Sequence, residues 1–159
     1  MPPPATSTGT PPPAPTSPTP AFACAATHPN GSTPPGEQPA SINHGNGALW
    51  VTLWPEGRVV ILSDMVRSDG VLSMKFPWWR EPGVQGSLTI AGRRLDAPAP
   101  PLAANIPDGY GDTGFQATGL LFPTIGCWEV TGRVGDARLT FVTLVVKADP
   151  APVTPTPAR

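Results

Sequence analysis

The stretch from Gly126 to Val146, GCWEVTGRVGDARLTFVTLVV, leaves this chain little choice of class. Trp128, Val130 and Val134 fall on one side of it with Gly132 between them, and Glu129, Thr131 and Arg133 fall on the other. A period of two is what a half-buried strand requires, because successive side chains leave opposite faces of a pleated sheet. Gly135-Asp136 supplies the turn, so two long strands joined tightly are expected, and with them an all-β domain.

The prolines mark where that domain stops. Thirteen of the chain's 25 lie in the first 39 residues, a stretch of Pro, Thr, Ser and Ala with no Lys, Arg, Asp or Glu before Glu37. Such a composition buries too little apolar surface to offset its ordering entropy. Residues 1–36 are therefore expected to be a disordered tether. Residues 148–159, where Pro150, Pro152, Pro155 and Pro157 alternate with small residues, are expected to be a disordered tail of the same extended character. What remains, residues 37–147, is long enough for one self-sufficient hydrophobic core.

Within that core nine Lys or Arg balance ten Asp or Glu, and no basic stripe runs along any segment. That argues against a phosphate-tracking surface, so nucleic acid is not expected as a partner. No run has the length and apolarity of a membrane span; Gly114 to Trp128 comes nearest and is interrupted by Gln116, Thr118 and Pro123. No signal peptide is visible after Met1, and Ala21 to Cys24 lacks the aliphatic residue and apolar run of a lipoprotein cleavage box. A secreted or cell-envelope location is expected instead from the Pro/Thr/Ser tether, a layout common in bacterial exported proteins.

Further strands follow from alternation and turn chemistry. Gly47 to Trp54 sets Leu49, Val51 and Leu53 against Trp50, Thr52 and Trp54, and Pro55-Glu56-Gly57 leads into Arg58 to Ser63, which predicts a hairpin. Ser68-Asp69-Gly70 introduces a strand over Val71 to Phe76, and Gly86 to Leu95 forms another. Pro100 to Ile106 reads as a short edge strand because its prolines remove ladder donors. Gly114 to Phe122, Gly126 to Val134 and Ala137 to Lys147 complete a set of seven or eight. Short strands with Gly, Pro and Asp between them, and no helical period, point to an antiparallel sandwich, with a small barrel as the alternative.

From Pro123 to Val146 the pattern Pro-x-x-Gly-x-aromatic-x-Val, ending in an alternating strand, resembles the closing strand pair of bacterial immunoglobulin-like domains of the PKD and fibronectin type. The blocks HGNGALWVTLWPEGRVV and DGVLSMKFPWWREPGVQGSLTIAGRRLDAPAP resemble an uncharacterised group of exported bacterial proteins. These resemblances imply an immunoglobulin-like sandwich and carry no activity or site residues.

Cys24 and Cys127 are the only cysteines, and an exported chain with an even count usually pairs them. A disulfide is expected. By strand parity Cys127 shares the outward face with Glu129 when Trp128 points inward, so the bridge would clip the incoming tether rather than join two sheets.

Five tryptophans are the feature that could signal binding. Phe76-Pro77-Trp78-Trp79-Arg80 is the sharpest candidate: adjacent Trp78 and Trp79 in a strand point to opposite faces, and the flanking Pro77 and Pro82 suggest that the segment leaves the ladder. Exposed planar rings stack on pyranose faces, and Arg80 could donate to sugar hydroxyls or carboxylates; Tyr110 joins them as a fourth candidate. The opposing reading puts the rings in the core with Arg80 packed across an indole. Trp128 is expected in the core, and Trp50 and Trp54 fit either place.

Asp108 and Asp112 in IPDGYGDTG fall short of the six to eight oxygens calcium takes and read as a plain turn. His28 and His44 are the only histidines, HExxH and CxxC are missing, and no Gly-x-Ser-x-Gly elbow is present. No metal, cofactor or catalytic activity is therefore expected. The functional expectation is a non-catalytic exported module for binding or spacing at the cell surface. The alternatives are a carbohydrate-binding module, with polysaccharide as partner, and a protease-inhibitor-like or chaperone-like sandwich acting on an envelope protein.

Overall fold

The alternating stretch that ends the chain forms the two longest strands, β10 (Gly126–Val134) and β11 (Ala137–Lys147), paired antiparallel from Gly126 opposite Val145 to Val134 opposite Ala137. The computed structural model describes residues 22–112 and 114–149. Residues 1–21 of the expected tether and 150–159 of the expected tail lie outside the described residues. Nine shorter strands precede the pair: β1 (Asn43–Gly45), β2 (Leu49–Thr52), β3 (Arg58–Ile61), β4 (Leu72–Lys75), β5 (Trp78–Arg80), β6 (Thr89–Arg94), β7 (Ala103–Asn105), β8 (Gly114–Gln116) and β9 (Gly119–Phe122).

The fold is all-β, in three mostly antiparallel sheets ordered β3-β11-β10-β6, β4-β9-β7 and β1-β2-β5-β8. Among the described residues no helix is long and apolar enough to cross a membrane. The described strands number eleven, not seven or eight. The excess comes from strands too short to show a period: β1, and β5 between two prolines, where an irregular segment was expected. Gly114 to Phe122 is also not one strand; it breaks at Ala117–Thr118 into β8 and β9, which belong to different sheets. Nor do β2 and β3 form a hairpin. The Pro55–Gly57 turn hands the chain from one sheet to another, and β3 pairs parallel with β11.

A chain of aromatic rings ties the three sheets together. Trp78 of β5 meets Phe141 of β11 at 6.0 Å, Phe141 stacks on Phe76 at 5.5 Å, Phe76 meets Phe122 of β9 at 6.4 Å, and Phe122 packs edge-on to Trp128 of β10 at 5.7 Å. Each of these rings is fully buried, and each large aromatic removes 150–250 Å² or so from water. Trp128 donates from Nε1 to the Thr124 carbonyl at 3.0 Å, which satisfies its one polar atom.

The segment entering from residue 22 lies on the domain. Cys24 is bonded to Cys127, with 5.5 Å between their Cα atoms. Cys127 is 1% exposed although parity puts it on the outer face, because the incoming strap covers it. The strap then passes β11, where Thr27 N–H donates to the Val142 carbonyl at 2.8 Å and Val142 N–H donates to Thr27 Oγ1 at 2.8 Å. It crosses Gly57, where a Cβ would come within 2.8 Å of both Ala26 Cβ and Thr27 O. At β1, Gly31 N–H donates to the Asn43 carbonyl, and the Asn30 side chain both donates to the Gly45 carbonyl and accepts from its N–H. These partners lie up to 115 residues away, so local composition, which reads only as a tether, cannot report them.

Next to the disulfide, Arg94 Nε donates to Asp96 Oδ1 at 2.7 Å, and the same oxygen accepts Cys127 N–H at 3.1 Å. The ion pair and hydrogen bond hold the Asp96 carboxyl below its ordinary range and fix the start of β10.

Candidate functional site

The sheet β1-β2-β5-β8 carries two unlike faces, and the adjacent Trp78 and Trp79 define them. Trp78 faces the core at 1% exposure, so it has no ring face for a ligand. The expectation that it belongs to a ligand site is corrected: β5 is a central strand, paired with β2 on one side and β8 on the other, and the face it turns to the core sets Trp78 over Gly132 of β10. Trp79 faces the other way. Strand register sets it in one row with Trp50 of β2 and Phe115 of β8.

That row is covered at one end and open at the other. The Trp50 indole lies over Gly45 and donates from Nε1 to Ser32 Oγ of the strap at 2.9 Å, so it is buried. Trp79 is half-buried and packs on Phe115 at 5.3 Å; Phe115 in turn meets Tyr110 edge-on at 5.6 Å. Phe115 and Tyr110 are each 41% exposed. Trp54, the remaining tryptophan, is exposed on a separate surface beside Met65 and Met74.

Beside the open end lies a cavity of about 330 Å³, lined by Arg80, Ser87, Asp108, Tyr110, Asp112 and Gln116 among others. Its far wall is the loop between β7 and β8, which curls through Gly109 (φ 96°) and Gly111 (φ 74°), backbone conformations that side chains with a Cβ rarely adopt. Two buried side chains pin that loop. Gln116 Nε2 donates to the Pro107 carbonyl at 3.1 Å and to the Ala117 carbonyl at 2.9 Å. Arg80 donates from one guanidinium nitrogen to the Asp112 carbonyl at 2.8 Å and to the Gly86 carbonyl. Arg80 is only 4% exposed; its burial lowers the guanidinium pKa, and the nearby Asp112 charge works against that shift.

The structure thus gathers Trp79, Arg80 and Tyr110 and sends Trp78 elsewhere. It adds Phe115 and Gln116, which the sequence did not mark, and brings in Asp108 and Asp112, which read as a plain turn. Phe115 and Gln116 were hidden inside an apparent single strand, and nothing local signals that it breaks after them.

Chemically, the cavity offers carboxylate acceptors, guanidinium and hydroxyl donors, and a phenol ring at the rim. Neither histidine lines it. Among the described residues no group of three or more His, Cys, Asp or Glu is placed to hold a metal ion. No protein-family model matches this chain, and no curated protein matches it.

Proposed function

We propose that this protein is a non-catalytic immunoglobulin-like module that works outside the reducing cytoplasm and binds carbohydrate in the cavity beside Tyr110. The immunoglobulin-like assignment is supported by strand order. Taking β3, β4, β6, β7, β9, β10 and β11 as strands A to G, the sheets read B-E-D and A-G-F-C, with A running parallel to G. Immunoglobulin domains distribute B-E-D and C-F-G between their two sheets in the same way. The remaining strands, β1, β2, β5 and β8, are then additions. Two of them, β5 and β8, are insertions that carry Arg80, Trp79, Phe115 and Gln116, and the loop into β8 carries Asp108, Tyr110 and Asp112. Function residing in what is grafted onto a common fold is the usual arrangement.

The observation that carries the carbohydrate reading is the junction of a polar-lined cavity with an exposed aromatic pair. Sugars combine apolar ring faces with hydroxyls that both donate and accept. Tyr110 and Phe115 serve the first requirement, and the Asp, Arg, Ser and Gln side chains serve the second. The extracytoplasmic location is supported by the Cys24–Cys127 disulfide, since such bonds persist in oxidising compartments.

The test is a titration of the full chain with a panel of neutral and acidic polysaccharides, read by tryptophan fluorescence and calorimetry. Saturable binding that a Tyr110→Ala variant loses while keeping its fold supports the reading. A panel without any saturable response sinks it.

A further inference from the structure

Among the described residues Arg80 is the only charged side chain in the buried set. The ion pairs of the described residues join Arg67 to Asp69, Arg93 to Glu129 and Arg94 to Asp96, and none involves Arg80. Its described hydrogen bonds run to two backbone carbonyls, Gly86 and Asp112. Taking a guanidinium out of water is costly; Asp112 acts on its charge from nearby without forming an ion pair, and two neutral carbonyls offset only part of the cost. Arg80 also lines the cavity. A bound carboxylate would supply the direct ion pair that Arg80 lacks, and a planar fork of donors matches its two oxygens.

Asp108 and Asp112 set a limit on what that carboxylate belongs to. Both line the cavity and both are exposed, so their charge opposes any bound anion, while they offer acceptors to hydroxyl groups that a bare inorganic anion does not carry. An anion that carries its own hydroxyls meets both demands.

Resting on the carbohydrate reading above, we propose that the cavity recognises an acidic sugar: its ring carboxylate lies against Arg80, its hydroxyls donate to Asp108 and Asp112, and its apolar face lies on Tyr110. The cation fixes which sugars are accepted, while the aromatic pair supplies contact area that any pyranose could use.

The experiment compares uronate polymers of several stereochemistries, polygalacturonate, glucuronan and alginate, each with its carboxyl-reduced counterpart, on the full chain at low salt. A sulfated neutral polymer is run beside them. At least one uronate should bind tenfold or more tightly than its reduced form, weaken as salt rises, and exceed the sulfated polymer. Arg80→Gln should bring the acid and reduced forms within twofold of each other; circular dichroism decides whether that variant is folded, and the wild-type comparison stands without it. Equal binding of acid and reduced forms overturns the role of the carboxylate and leaves carbohydrate binding intact, as does binding confined to neutral polymers. Preference for the sulfated polymer replaces carboxylate by sulfate and overturns the proposal. Absence of binding to every polymer, neutral ones included, removes both readings.

Discussion

Gly132 lies directly beneath the indole of Trp78: a Cβ at position 132 would come within 2.5 Å of both Cη2 and Cζ3 of that ring. The glycine interrupts the apolar face of β10 because β5 sets its tryptophan against the strand. Gly132→Ala should therefore destabilise the domain by roughly 1–3 kcal/mol, as overpacking a dense core does. Gly119→Ala, where the nearest atom is 3.9 Å away, should cost clearly less. Urea melts of the two variants check the difference; equal losses would mean that the Trp78 ring is free to move aside.

The strap should depend on its disulfide. The Cys24–Cys127 bridge spans a sequence separation of 103 residues, for which the chain-entropy model gives up to about 4–5 kcal/mol. The paired Cys24→Ser and Cys127→Ser variant should melt earlier than wild type. Its strap, held then by the Thr27, Asn30 and Gly31 hydrogen bonds, should become the first site of protease cleavage. Limited proteolysis with and without reductant reads this directly. Unchanged cleavage of the 24–36 segment on reduction would show that its hydrogen bonds suffice.

Much of the domain was legible because its longest elements obey a simple rule. β10 and β11 alternate cleanly, their turn is marked by Gly135-Asp136, and the bridge to the strap follows from cysteine count and the outward parity of Cys127. Legibility failed where a residue's place is decided by distant partners. Three-residue strands such as β1 and β5 have no period to read, and the prolines around Trp78-Trp79-Arg80 suggest an irregular segment although β5 is central. Parity did foresee that the two tryptophans part company, but not which one turns inward; that is settled by Gly132, more than fifty residues away. The site was legible in the same fraction. Trp79, Arg80 and Tyr110 stand out by residue type, whereas the burial of Arg80 depends on two carbonyls from separate loops.

The aromatic pair should matter for binding and little for folding. Phe115 and Tyr110 are exposed and pack mainly on each other and on Trp79. Phe115→Ala and Tyr110→Ala should each cost about 1 kcal/mol or less in stability, within the range of partly exposed contacts. Each should lower affinity for a bound polysaccharide roughly tenfold or more, the behaviour of a central aromatic anchor. Trp54→Ala, on another surface, should leave affinity unchanged. Calorimetric titration of the three variants distinguishes them, and a loss of affinity in Trp54→Ala would move the site to the Met65–Met74 groove.

Acid should loosen the strap at β1. His44 sits between Asn43 and Gly45, whose backbone groups hold Gly31 and Asn30, and its Nδ1 is buried without a partner. Burial lowers its pKa from the usual 6.5, an effect that interaction with the His28 backbone only partly offsets. Because the folded value lies below the unfolded one, the unfolded chain binds more protons between them, and stability rises with pH through that window. The contribution is whole above about 6.5, falls as the pH drops toward the folded value, and is fully lost below it. Urea melts from pH 8 to pH 5 should show this decline, and His44→Gln should flatten it. The protection factor of the Gly31 amide, its exchange rate corrected for the intrinsic dependence on pH, should fall over the same interval, since that amide bonds the Asn43 carbonyl beside the imidazole. A His44→Gln variant that keeps the full slope would assign the acid sensitivity to other groups and leave the strap indifferent to pH.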